Sequence, residues 1–305
     1  MKFHEIVPMV YHLMRNGELD KNENQFRIIQ QIIQEYETAG QLEWVTEWVL
    51  EYEWLREGRP YYNLYPFVAE NLVRTKLDVP GDQFVESMKV FPHVIQVRLP
   101  ENNELKIGTK IIRGFLAQRL KMEPDADGKS SDGVFILVDV GETVERFSNG
   151  NKWFAPVYNK VCVPLTEHTV FEEFESLEFH ELVGDDKKVT EVCLKLYIAL
   201  SMLADDTELV KPDVLSADRA KYENARTDEQ RQIIVERARR RGKTGWVIGE
   251  GIEFSPHIRR SHFAIRWMGH GDDKRPVLRF VKAAVVKRKS ITDIPTGYLD
   301  DEEET

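Results

Sequence analysis

From Lys188 to Ala204 the chain carries Val192, Leu194, Leu196, Tyr197, Ile198, Leu200, Met202 and Leu203, so this helix is apolar enough to need a sheet beneath it. The preceding residues supply one. Val94–Leu99, Ile111–Leu120, Val134–Val140 and Lys160–Pro164 show the alternation or β-branched density of strands, separated by Asp-, Gly- and Ser-rich stretches such as Glu123–Gly133. An antiparallel or mixed sheet is expected, with a shorter helix over Thr169–Phe179.

The first 80 residues read differently. Phe26, Ile29, Ile32, Ile33 and Tyr36 recur at three-to-four spacing, and so do Trp44, Val45, Trp48, Val49, Tyr52 and Leu55. Two amphipathic helices follow, broken at Gly40 and at Gly58-Arg59-Pro60, with a third over Pro66–Lys76 that stops before Pro80. The stripe Trp44, Trp48, Tyr52 has helical spacing within an acidic segment, which marks core packing rather than a surface for stacking bases.

Beyond the apolar helix, Asp205 and Asp206 open a loop. Adjacent acids after a helix end are expected to be turn residues, with metal ligation as the competing reading. A polar helical stretch over Ser216–Arg241 becomes basic and ends Arg237-Ala238-Arg239-Arg240-Arg241-Gly242-Lys243. Cations suit a helix C-terminus, but three adjacent arginines exceed that requirement. Strands return at Trp246–Ile248, His262–Trp267 and Val277–Val286, the last interrupted by Arg279 and Lys282, with Gly269–Asp273 as a turn. The acidic run Asp300–Glu304 reads as a disordered tail, with folding back onto the basic module in competition with nucleic acid as the alternative. The fold class is α+β: a helical region over residues 1–80, a central sheet covered by helices over 81–215, a charged helix over 216–243, a small basic β module over 244–292, and an acidic tail over 293–305.

Composition narrows the function. No run approaches the roughly 20 apolar residues of a membrane span, and the N-terminus lacks a secretory apolar core, so a cytoplasmic protein without membrane contact is expected. Cys162 and Cys193 sit in apolar surroundings, as buried reduced thiols do, and are too far apart in sequence for a thiolate zinc site. No cofactor motif is present. Charge is the outlier: Glu236 to Lys289 holds 15 Lys plus Arg against 5 Asp plus Glu, while the whole chain is −10, leaving the remainder near −20. A cationic segment on an acidic protein points to a polyanionic partner, RNA above all.

Within that segment, Ser255–Phe263 places His257, Arg259, Arg260 and His262 inside six residues. Three chemistries compete. Arginines on phosphates with Phe263 and Trp267 stacking on unpaired bases would make a binding surface. His257 and His262 as general base and acid would make a metal-independent ribonuclease. Internal pairing with acids such as Glu250 and Glu253 would make a structural turn. As a separate function, the basic patch would bind an acidic protein surface in an adaptor without nucleic-acid affinity. A metal site is the weakest, because one His-x4-His pair supplies half a zinc shell. In an extended chain, His257 and Arg259 face one way and Arg260 and His262 the other, so catalysis needs a turn at Pro256 or Ser261. The binding reading uses Arg239, Arg240, Arg241, Lys243, Arg259, Arg260, Phe263, Arg266, Trp267, Arg279 and Lys282.

Pro256-His257-Ile258-Arg259-Arg260-Ser261-His262-Phe263, followed by Trp267, Gly269 and a final strand with Arg279 and Val286, resembles the C-terminal signature of a type V-A anti-CRISPR family and its phage, plasmid and bacterial relatives. The family pattern runs approximately P-H-I-R-R-G-H-W, then W-x-G, then a strand. The order of helical part, sheet, apolar helix and the loop from Leu203 to Asp213 is similar too. The resemblance implies a mobile-element or host regulatory protein that lowers expression of a target at the level of its message during translation, with RNA, a nascent chain or the ribosome as partner. Ser261 replaces the motif glycine, Phe263 the tryptophan and Ala264 a further histidine, and Lys287 stands near the terminal asparagine, so a role that needs that extra histidine is lost.

Overall fold

The structure is a computed structural model that describes residues 1–39, 46–77, 79–88, 92–102, 105–122, 131–148, 150–177, 182–203, 206, 208–250, 262–271 and 274–281. The fold is α+β. Its helical N-terminus comprises α1 (Met9–Arg15), α2 (Gln25–Thr38) and α3 (Thr46–Arg56). The Asn24 side chain accepts from the N–H groups of Phe26 and Arg27 and starts α2. The expected break after α3 is a Schellman closure. Arg59 N–H donates to Trp54 O and Gly58 N–H to Leu55 O, both residues with positive φ, and Pro60 stops further winding. The Trp54 indole donates to Pro60 O at 2.9 Å and locks the turn. Trp48 and Tyr52 pack against Val10, Ile29 and Leu55, as the helical spacing predicts for core residues, while Trp44 and the expected break at Gly40 lie outside the described residues.

A strand then appears in the section read as helical: β1 (Tyr61–Leu64), followed by α4 (Pro66–Arg74), α5 (Gly81–Met88) and β2 (Val94–Arg98). A small hairpin of β3 (Leu105–Ile107) and β4 (Lys110–Ile112) precedes β5 (Gly114–Lys121) and two long strands, β6 (Asp132–Ser148) and β7 (Asn151–Leu165). After α6 (Val170–Ser176) and the apolar α7 (Asp185–Leu203) come β8 (Val210–Pro212), α8 (Ser216–Glu223), α9 (Asp228–Arg239) and β9 (Gly245–Ile248). The hairpin β10 (His262–Met268) and β11 (Arg275–Val281) closes the described chain. The polar stretch expected as one helix over Ser216–Arg241 is therefore two, because Thr227 accepts from Gln230 N–H and starts α9 afresh.

The main sheet has the order β7-β6-β5-β2-β1-β9-β8. β1 is parallel to β2 and β9, and the remaining pairs are antiparallel. Alternation sorts its two faces. Ile95, Val97, Phe115, Ala117, Val134 and Ile136 meet α4, α5 and the fully buried Leu194, Leu196 and Tyr197 of α7. Their neighbours Val94, Leu116, Phe135 and Leu137 meet Leu50 and Trp54 of α3. The apolar helix thus has the sheet that its composition required. Cys162 and Cys193 are free thiols, and burial raises both, Cys162 to about 11. Among the described residues no helix is long and apolar enough to cross a membrane.

Candidate nucleic-acid interface

β10 and β11 pair from His262↔Val281 to Met268↔Arg275. This register puts Phe263, Ile265 and Trp267 on one face with Phe280, Leu278 and Pro276, and Ala264, Arg266 and Met268 on the other with Arg279, Val277 and Arg275. Burial grades along the first face. Phe263 and Leu278 are core residues at 6% and 0% exposure, Ile265 is half-buried, and Trp267 is 52% exposed. Phe280 anchors the covered end, its ring 5.2 Å from that of Phe263 and 6.0 Å from that of Phe67 on α4. Phe263 is therefore buried packing rather than a stacking platform: its face is covered exactly where α4 lies, and Trp267 is the aromatic left outside.

The far end of the hairpin is cationic and aromatic. Arg266, Trp267, Met268, His270 and Lys274 are exposed, and Arg275 is half-buried on the same face as Arg266. Arg279, on that face but deeper, lies 3.8 Å from Asp206 and donates to the sulfur of Met268. Asp206 itself accepts from the N–H groups of Glu208 and Leu209, which makes it the turn residue its sequence position suggested. Asp272 and Asp273, between the two strands in sequence, lie outside the described residues. His257, Arg259, Arg260 and Lys282 lie outside the described residues. His262 enters at the backbone level, opposite Val281, at the docked end of the hairpin.

The basic run around the end of α9 divides. Arg237 donates to Asp218, Arg239 to Glu236, and Lys243 to both oxygens of Asp213 at 3.1 Å. Arg240 and Arg241 are exposed and, among the described residues, have no carboxylate partner. Of this run, those two are the cations left for a polyanion.

Lys243 belongs instead to a polar cluster on the central strands that sequence reading does not find. Asp213, 7% exposed, accepts from the Tyr61 hydroxyl at 2.7 Å and sits 3.5 Å from Asn63 Nδ2. Arg98 lies 3.9 Å above the Tyr61 ring and donates to Gln96 Oε1 and Glu5 Oε1. Burial, and then the bond to Asp213, push the Tyr61 hydroxyl well above the ordinary phenol range, and burial lowers Arg98. The members come from β1, β2, the segment after β8 and the segment before β9. No local spacing signals them, and the only hint is the polarity of Asn63, Gln96 and Arg98 inside strands.

No protein-family model and no curated protein matches the chain. Among solved structures, a crystal structure of AcrVA2 is similar over 92% of this chain and 93% of that one, at 16% identity and a TM-score of 0.48.

Proposed function

We propose that this protein is an RNA-binding regulator that acts on the message or translation of a target, and that the outer end of the β10–β11 hairpin is part of its RNA contact. The observation that carries this reading is that the outer end of a hairpin whose other end is fixed in the core exposes Arg266 on one face and Trp267 on the other, so a strand that wraps this end meets both. Arginine neutralises phosphate and the indole stacks on an unpaired base, so the two together favour single-stranded RNA. Arg240 and Arg241 at the end of α9 are two further exposed cations, and the segment with His257, Arg259 and Arg260 immediately precedes β10 in sequence. The surplus of cations over acids from Glu236 to Lys289, on a chain that is −10 overall, fits a polyanion better than an acidic protein face, which the remainder of the chain would itself repel. The type V-A anti-CRISPR resemblance of the motif agrees in kind.

The test is fluorescence anisotropy with labelled single-stranded RNA across a salt series. Binding should weaken steeply from about 50 to 200 mM salt. Trp267→Ala should weaken it at every salt concentration by about 1–3 kcal/mol. Arg266→Ala should weaken it and flatten the salt slope by about one unit. Absence of binding at low salt, or equal binding by both variants and wild type, refutes the proposal.

A further inference from the structure

β6 and β7 continue past a bulge between Asp139 and Thr143 as a two-stranded ribbon, paired from Thr143↔Pro156 to Ser148↔Asn151. One face of this ribbon is anchored. Trp153 and Ala155 are buried against Leu13 of α1, and the Trp153 indole donates to Glu18 at 2.6 Å. The other face is bare and carries large apolar side chains, Phe147 at 70% and Phe154 at 56% exposure. Exposed aromatic pairs on a rigidly held ribbon are uncommon without a partner.

The register gives the pattern of that face. Glu145 stands opposite Phe154 and Phe147 opposite Lys152, so four side chains occupy the corners of a small oblong cell, aromatic on one diagonal and charged on the other. Lys152 and Glu145 meet at 2.5 Å, and Lys152 Nζ also lies 5.3 Å from the centre of the Phe154 ring. A twofold axis along the aromatic diagonal brings the charged corner of one copy to within side-chain reach of the opposite charge on the other. Each phenylalanine then meets the same phenylalanine of a second copy, and Lys152 of each copy meets Glu145 of the other. The strands of the two ribbons cross near a right angle, as in orthogonal sheet packing. The face is self-complementary in shape and in charge, and it is a neutral patch on a chain whose net charge of −10 keeps copies apart elsewhere.

From this we infer that the outer face of the β6–β7 ribbon is an isologous contact through which two copies of this chain pair. Face packing is favoured over strand addition at the β7 edge. That edge carries Pro156 and Pro164, which lack an N–H, together with Lys152 and Lys160, and such residues blunt edge pairing. Four side chains make a small contact, so the dimer is weak and reversible.

Sedimentation of the full chain over a concentration series tests it. Wild type should shift from monomer towards dimer as concentration rises. Phe147→Ser with Phe154→Ser should stay monomeric, with an unchanged circular dichroism spectrum because both side chains are exposed. Glu145→Lys alone sets lysine against lysine and Lys152→Glu alone sets glutamate against glutamate, so each single variant should be monomeric. Mixing the two should restore the dimer, because one copy then presents two lysines and the other two glutamates. A monomer at every wild-type concentration, or a dimer that survives the single variants, or a mixture that stays monomeric, overturns the inference. None of these outcomes depends on RNA.

Discussion

Glu51 offers a stringent test of how the N-terminal helices are held. Its carboxylate, 1% exposed on α3, accepts the Met9 N–H at 2.7 and 2.8 Å and so closes the start of α1, where Pro8 supplies no side-chain cap. Burial raises its pKa from 4.5 to about 8, with nearby Glu47 adding to the rise and the Met9 and Val10 N–H groups opposing it. In the unfolded chain the group ionises near 4.5, whereas in the fold it keeps its proton to about 8. Between those values the folded state binds more protons, so the stabilisation is complete below the lower value and is lost as pH rises through the upper one. At about 1.4 kcal/mol per unit, the interval corresponds to roughly 5 kcal/mol, an upper figure for a group whose surroundings relax when it ionises. Glu51→Gln keeps the carbonyl acceptor and the volume but cannot ionise. Urea unfolding followed by circular dichroism from pH 5 to 9 should show wild type losing stability with pH. Glu51→Gln should trace a flatter curve, close to wild type at pH 5 and more stable by about 3 kcal/mol or more at pH 9. Parallel curves for the two proteins would refute the argument.

Three further outcomes follow from the packing. Asp213→Ala strips the Tyr61 hydroxyl and Lys243 of their shared acceptor and should cost about 1–3 kcal/mol in urea unfolding, whereas Asp213→Asn should recover part of it. Gly245→Ala drives a Cβ into the carbonyl oxygen and ring of Tyr61 on the neighbouring strand, so the melting temperature should fall by several degrees or soluble yield should collapse. Thr169→Ala opens the reciprocal Thr169–Glu172 capping box at the start of α6 and should cost about 1 kcal/mol, read from the unfolding midpoint.

The candidate surface was legible only in part. Charge counting located the cationic C-terminal segment, but it could not tell which cations are spent internally. Lys243 is held by Asp213, Arg239 by Glu236 and Arg279 lies near Asp206, partners that stand 30, 3 and 73 positions away. Phe263 and Trp267 are equivalent by strand alternation, on the same face four residues apart. They differ because the packing that covers that face ends between them, leaving one in the core and the other half in solvent.

Local chemistry was enough wherever the physics is local. The apolar content of α7, the three-to-four spacing of α2 and α3, and the stop at Gly58-Arg59-Pro60 are each set by residues within a few turns of one another, and each is present as read. Tertiary structure alone decided what depends on distant pairing. The short β1 has no period to betray it, because a four-residue strand at the centre of a sheet, with three of its residues buried, need not alternate. It is a strand because β2 and β9, drawn from positions 94–98 and 245–248, satisfy its backbone on both sides. The same long-range pairing gathers Tyr61, Arg98 and Asp213 into one polar cluster, and the β6–β7 register sets two phenylalanines and an ion pair on opposite diagonals of one exposed face.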